Sequence, residues 1–395
     1  MRVLYHHRTS AGDGQGVHIR ALQRAFRELG HEVFEVSIGA SRDSAAARPS
    51  RAARWRALAR MPRLIRELGE YAYTSLGRPR IMAAANAHEP DFIYERYAFG
   101  NAAGVLAARR LGLPIVLEVN SPMVLELERT RGLSFPRTAR RLEDFIWKSA
   151  DRVCVVTAVL GDMVAERGVD RSRIFVTHNG VQPGLYDYAS DARQRARAEL
   201  ALPALAGTVL GFVGFYREWH RLDLVLDALA GPSLSHARLV LVGEGPAHDA
   251  LASRARALGV EQRVHFAGSK PHDAIPRLLP AFDIALVPAI NPYASPLKLF
   301  EYMAASLPTI APDQPNLREV LEQDRNALLV PPGDGASLRV ALERLSSDEA
   351  LRLRLGARAR ADVLERDLTW CGNARSVIEV ASELVRERRA RKGVR

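Results

Sequence analysis

Two doubly wound α/β domains in tandem are what this sequence predicts, on three observations. Short β-branched runs alternate with stretches of helical apolar period, the pattern of a parallel sheet wrapped by helices. The series of runs stops after Thr177 and restarts at Thr208. A chain of 395 residues exceeds one ordinary core and suits two domains.

The first series runs through Arg2 to His6, Glu32 to Ser37, Pro114 to Val119, Arg152 to Thr157 and Arg173 to Thr177. Its opening unit is the clearest: "RVLYHH", a loop "RTSAGDGQG", a helix "VHIRALQRAFRELG" capped by Gly30, then "HEVFEV". The second series reads "TVLGFVG", "RLVLVG", "RVHFAG", "DIALVP", "PTIAP" and "ALLV". Between them "QPGLYDYASDARQRARAELALPALAG" is polar and Pro/Gly-punctuated, which suits a connection between domains and places the boundary near Gln182. Ser41 to Arg80 is Arg/Ala-rich and broken by Pro62 and Pro79. It predicts one or two amphipathic helices, covering the domain or lying on a membrane or acceptor.

Composition narrows the class. With 47% apolar and 26% charged residues the chain should fold rather than stay disordered. Cys154 and Cys371 alone build neither a disulfide framework nor a cysteine metal site, and a reducing cytoplasm is expected. No signal-like leader follows "MRVLYHH", and no run of about 18 or more apolar residues predicts a membrane span. The net charge of +11 comes from arginines scattered over helical stretches and from the tail "RERRARKGVR". Without an aromatic-interleaved basic motif, no nucleic-acid partner is expected, while peripheral contact with an anionic membrane surface stays open.

The chemistry concentrates in "PAINPYASPLKLFEYMAASLPTIAP", Pro288 to Pro312, read as strand, loop, helix, strand. Ser295 as cap and Pro296 in the first turn, followed by Leu297, leave outward-pointing amides that favour an anion. Lys298 adds a full charge where the helix dipole is already positive, which is unfavourable unless an anion such as diphosphate binds. Glu301, one turn on, is placed to accept two ribose hydroxyl bonds; the alternative is a surface pair of Lys298 with Glu301. In the first series, Gly14 and Gly16 would let backbone approach a ligand, but the full dinucleotide fingerprint is missing, which demotes NAD. His18 follows, as an acceptor contact or simply an exposed first turn. At the end of another run, "LEVNSP" offers Glu118, Asn120 and Ser121. Glu118 could hold an acceptor hydroxyl, act as a base, or be a buried structural acid.

These segments resemble the retaining family-four glycosyltransferases of GT-B fold. "SPLKLFEYMAASLPTIAP" matches the second half of that family's glutamate-pair motif, with Glu301 as the second acid and Tyr293 where the first, a donor-sugar contact, would fall. "HNGV" (His178 to Val181), "LVGEGP" with Glu244 and Gly245, "NALLVPPGD" and "LTWCGNA" occur in the family's order over nearly the whole chain. After the Val-Gly that ends in Gly214 the family places an Arg and then a Lys on the donor diphosphate; here Phe215 and His220 stand there. "REWHR" looks like the family's Trp-His-Gly variant, with Arg221 at the Gly position and Arg217 able to replace the lost charge. His220 would help when protonated or as a donor.

The resemblance implies an N-terminal acceptor-side domain, residues 1–182, rejoined by a C-terminal helix over 372–395, facing a nucleotide-sugar domain, 183–371, across a cleft. It implies transfer of a hexosyl-type sugar with retention, in polysaccharide, glycolipid or natural-product biosynthesis. Glu118, Asn120, Arg217 and Lys298 are the expected catalytic residues. Donor contacts are expected from Gly14, Gly16, Gly214, His220, Glu244, Gly245, Tyr293, Ser295, Pro296, Leu297 and Glu301, and acceptor contacts from His18 and Ser121. The nucleotide-sugar is a substrate, and no cofactor is expected. With no Asp-x-Asp motif or metal-spaced cluster, metal-free stabilisation of the leaving group is expected. A nucleotide-sugar 2-epimerase or a noncatalytic sugar-nucleotide-binding subunit are the alternatives.

Overall fold

The computed structural model describes residues 1–9, 14–37, 62–203 and 207–393. The chain forms two compact units, Met1–His178 with Asn373–Arg395, and Asn179–Gly372. The chain thus divides after His178, where the sequence reading placed the division near Gln182.

The first unit holds a parallel sheet ordered β2-β1-β3-β4-β5-β6. Its strands are β1 (Arg2–His7), β2 (Glu32–Ser37), β3 (Phe92–Arg96), β4 (Ile115–Val119), β5 (Arg152–Val155) and β6 (Ile174–Val176). Helices cover both faces, so central strands such as β4 are buried along their whole length and read as unbroken apolar runs. The order reverses between β1 and β3, and in doubly wound sheets ligands bind beyond the carboxyl ends at such a point. Parallel register aligns His6 of β1 with Glu95 of β3, and Arg96 of β3 with Glu118 of β4, so that these groups share one edge.

β3 is missing from the runs read in the sequence. "FIYER" ends on two charged residues, which argue against a central strand until their partners are known. Both are buried: Glu95 accepts from His6 Nδ1 (2.7 Å) and Asn101 Nδ2 (3.0 Å), and Arg96 is paired with Glu118. Part of the expected amphipathic region, residues 41–61, lies outside the described residues. The rest is one helix, Arg63–His88, that continues through Pro79 although proline there removes one ladder hydrogen bond. It leaves Leu64, Ile65, Leu68 and Leu76 exposed.

The second unit repeats the architecture in the order β12-β11-β10-β7-β8-β9. Its strands are β7 (Val209–Val213), β8 (Arg238–Val242), β9 (Val264–Gly268), β10 (Ile284–Leu286), β11 (Thr309–Pro312) and β12 (Leu328–Val330). Numbered within the unit this is 6-5-4-1-2-3, the Rossmann order, with its switch point between β7 and β10. The stretch expected as a connection belongs to this unit instead. Its helix Ala192–Glu199 is tied down by Arg197, whose Nη2 donates to Asp283 Oδ2 at 2.9 Å, and Ala196 and Leu200 join the core. The polar spacing there is one wet face of a packed helix. At the far end, the helix Trp370–Gly393 carries the chain into the first unit, where Ala374, Val377 and Ala381 are buried and Arg388 Nη2 reaches Asp151 Oδ2 at 2.8 Å.

Candidate active site

The loops after β7 and β8 press backbone against backbone. Gly214 N donates to Val242 O (2.9 Å) and Tyr216 N to Glu244 O (2.7 Å). A Cβ on Gly243 would sit 2.0 Å from Gly214 O, and one on Gly245 2.3 Å from Tyr216 O, so neither position takes a side chain. Beyond these loops lies an open depression of about 440 Å³ lined by Phe215, Glu244, Gly245, His248, Phe266 and Gly268.

On the other side of the switch point the chain leaves β10 and enters the helix Leu297–Ala304. The sequence reading makes Ser295 the cap, and here the structure differs. Pro296 is the N-cap residue and no side chain caps the helix. Ser295 instead receives the segment around Asn179: its Oγ accepts from Asn179 N at 3.1 Å and its carbonyl accepts from Asn179 Nδ2. Asn316, a residue the sequence reading passed over, holds the same loop by donating Nδ2 to Asn291 O (3.2 Å) and Ala294 O (2.7 Å). A proline cannot donate, and its neighbour's hydroxyl is engaged elsewhere, so the first helical amides keep the uncapped, anion-favouring character expected of them.

Lys298 stands at this helix start. Its Nζ lies 3.8 Å from the centroid of the Phe212 ring, and a Cβ on Gly214 would come within 2.8 Å of it. Burial pulls the Lys298 ammonium down from 10.5 to about 7, with the charge of Glu301 working the other way. Burial likewise pushes the Glu301 carboxyl up from 4.5 to about 7, opposed by Lys298. Glu301 also meets His272, Nε2 to Oε1, at 3.4 Å. A lysine and an acid both held near neutrality thus stand together beside an uncapped helix start at the switch point, a combination common at functional sites.

Gly214 has φ of +142°, a conformation that disfavours any side chain. Gly214→Ala is therefore expected to displace the Lys298 ammonium while the sheet persists. Ligand affinity in this unit should fall at least tenfold with little change in the far-ultraviolet circular dichroism; unchanged affinity would contradict the placement.

The remaining residues of this unit take varied positions. Arg217 is exposed, with its guanidinium 5.0 Å from the Phe215 ring centroid. His220 is buried, and burial together with Lys298 and Arg217 lowers its pKa to about 3. It is neutral near pH 7, its Nδ1 facing the Arg217 amide at 3.4 Å, so it supplies no cation to a phosphate. Arg221, at the family's glycine position, does adopt φ of +53° and is steadied by Asp223, whose Oδ1 accepts from its Nε at 3.1 Å. Tyr293 is 4% exposed, which leaves little of its ring for a ligand.

In the first unit the expected loop glycines Gly14 and Gly16 open the helix Gly14–Glu28 itself, while residues 10–13 lie outside the described residues. His18 is buried rather than on an exposed turn, with Nε2 2.9 Å from Glu118 Oε1. Glu118 is 1% exposed and surrounded: Tyr94 Oη donates to Oε2 at 2.9 Å, and Arg96 and Asn120 both donate to Oε1. His18 and Arg96 hold its carboxyl well below the usual range despite burial. A carboxylate so stabilised is a poor proton acceptor near pH 7, which favours the buried structural acid among the readings of Glu118. Asn120 Nδ2 donates to Glu118, and Ser121 Oγ donates to Glu126 Oε2 at 3.2 Å. Arg96 and Tyr94 complete this cluster; only recognition of β3 would have placed them here.

Residues 12–185 match the model described as Glycosyltransferase Family 4, and residues 201–362 match Glycosyl transferases group 1. The D-inositol 3-phosphate glycosyltransferase of Salinispora tropica is 27% identical over 82% of this chain and 70% of its own. The 2-deoxystreptamine N-acetyl-D-glucosaminyltransferase of Streptomyces fradiae is 28% identical over 67% of this chain and 64% of its own. Anabaena HepE, solved with UDP and glucose, superposes with a TM-score of 0.73 at 19% identity, covering 97% of this chain and all of that one. Two Rossmann-like units, each matching its own glycosyltransferase model, make the chain a glycosyltransferase of GT-B fold and family-four type.

Proposed function

We propose that the chain transfers a hexosyl-type sugar, with retention, from a nucleotide-sugar bound by the second unit to a hydroxyl-bearing acceptor bound by the first. The observation that carries this is the uncapped start of the helix Leu297–Ala304, with Lys298 and Glu301 at the β7/β10 switch point. In this reading the diphosphate lies on the Leu297 and Lys298 amides and the Lys298 ammonium, Glu301 accepts from the ribose, and the base enters the depression beside Phe215 and Gly245. The UDP in HepE supports a nucleotide donor. As the sugar C1–O bond breaks, charge develops on the departing diphosphate, and Lys298, Arg217 and the fixed amides stabilise it without reorganising. The reading needs no metal. The new bond forms from the acceptor oxygen to C1, and because Glu118 is a poor base the acceptor proton passes to the leaving diphosphate. Retention rests on the resemblance to family-four enzymes; the anomeric configuration of the product by NMR tests it.

A thermal-shift screen over nucleoside diphosphates and their sugars tests the whole. One base family should raise the melting temperature by several degrees through mass action, and a screen in which none does would contradict the proposal.

We also propose that the helix Arg63–His88 rests on an anionic membrane surface, through Leu64, Ile65 and Leu68 beside Arg63 and Arg66. No helix among the described residues is long and apolar enough to cross a membrane. Cosedimentation with phosphatidylglycerol vesicles should be strong at low salt and weaken at high salt, whereas equal recovery with neutral vesicles would contradict it.

A further inference from the structure

Arg8 follows β1 directly, at the carboxyl edge of the first sheet and beside the place where the strand order reverses. Its guanidinium lies 4.5 Å from the centroid of the Tyr73 ring, and Nη1 donates to Phe99 O at 2.9 Å and to Glu70 O at 3.4 Å. No described carboxylate forms an ion pair with it, since the Glu70 side chain is engaged by Arg131 Nη2 at 2.8 Å. Its Nε is buried without a hydrogen-bond partner. The other basic group at this edge, Arg96, is already neutralised by Glu118.

Arginines bonded to carbonyls occur elsewhere in the chain. Arg173 donates to Lys148 O at 2.8 Å, and Arg263 to Leu234 O and Leu229 O, each at 2.8 Å. Both precede their strands, β6 and β9, at the amino edges of the sheets, where such a bond ties a loop down. Arg8 stands at the opposite edge, where doubly wound sheets take their ligands. Among the described residues the Glu70 carboxylate is the one opposite charge acting on Arg8, and Glu70 is shared with Arg131, so a half-buried cation is left only partly compensated and a bound anion would complete it. Burial lowers the Arg8 pKa, with the charge of Glu70 working the other way.

We propose that Arg8 anchors an anionic group, a phosphate ester or a carboxylate, on the acceptor, so that the enzyme's acceptors are anionic compounds. This rests on the glycosyltransferase reading and assigns the acceptor end of it. With Nη1 held by the Phe99 and Glu70 carbonyls, the anion would meet Nη2 of a guanidinium already fixed in place, a geometry the flexible lysine cannot reproduce.

Thermal shift on the full chain tests the assignment, with inorganic phosphate as the probe against chloride at equal ionic strength. The nucleoside diphosphate selected in the screen is first added to saturation, which fills the donor site. Phosphate should then raise the melting temperature of the wild type further. Arg8→Gln should lose that second shift and keep the nucleotide shift. Arg8→Lys, the variant to rely on if the first folds poorly, should bind phosphate several-fold more weakly with nucleotide binding unchanged. A phosphate shift that survives in Arg8→Gln, or an undiminished phosphate affinity in Arg8→Lys, overturns the proposal. So does a wild-type phosphate shift that vanishes once nucleotide is bound, because the anion site would then be the donor's. A normal nucleotide shift with no phosphate effect overturns this assignment alone, while no nucleotide shift at all overturns the functional reading and this with it.

Discussion

Lys298→Met is expected to lower kcat/KM by about 10²–10³-fold, the cost of removing one preorganised charge from a site where negative charge develops. The methionine fills a similar volume and leaves Phe212 covered, so the melting temperature should hold. Turnover lost together with stability would point to a packing role. The lysine also sets a pH dependence. Its free ammonium titrates at about 7, and a bound diphosphate raises that value, so the complex holds more protons than the free protein. Diphosphate affinity should therefore weaken as pH rises above about 7, and that limb should disappear in Lys298→Met. Glu301 gives the opposite limb. Its carboxyl, at about 7 when free, is ionised more readily when ribose hydroxyls donate to it, so affinity should also weaken as pH falls below that value. The wild-type profile is then a bell centred near neutrality, and calorimetric titration across pH 5.5 to 9 reads it. A flat profile would show that neither group meets the nucleotide.

Glu118→Gln is expected to destabilise the first unit by about 3–5 kcal/mol, because the Arg96 charge is left buried without a partner. The sign of its pH dependence follows from the depressed folded-state pKa. The carboxylate contribution is complete above the unfolded value of about 4.5 and is lost as pH falls through the lower folded value. The stability gap between wild type and variant should thus be full at pH 7 and close on acidification below about pH 4.5, as denaturant melts will show. Per folded molecule, turnover should fall far less than the roughly 10²–10⁴-fold that loss of a general base costs. A large loss of turnover at unchanged stability would restore Glu118 as a base.

Much of the fold was legible in the sequence because parallel strands buried on both faces read as short apolar runs, and helices between them keep their period. β3 escaped because its last two residues are charged, and their compatibility with a core depends on His6 and Glu118, distant in sequence. The donor segment was legible for a local reason: Ser295 through Glu301 are contiguous, so loop, helix start, lysine and acid appear together. Even there the capping was misread, since the partner of the Ser295 hydroxyl is Asn179, more than a hundred residues upstream. The first unit's site was least legible. Glu118 and Asn120 look available in "LEVNSP", and only the convergence of β3 and the helix Gly14–Glu28 on that carboxylate shows that both are engaged. The neutrality of His220 was hidden likewise, because its burial and the nearness of Lys298 come from different ends of the second unit.

The most direct check is a crystal structure of the protein soaked with the nucleoside diphosphate that the screen selects. Density for the two phosphates should lie at the start of Leu297–Ala304, within hydrogen-bond reach of the Lys298 ammonium, with the ribose hydroxyls on Glu301. Nucleotide bound elsewhere in the second unit, with Lys298 still closed over Phe212 and Glu301 untouched, would contradict the assignment.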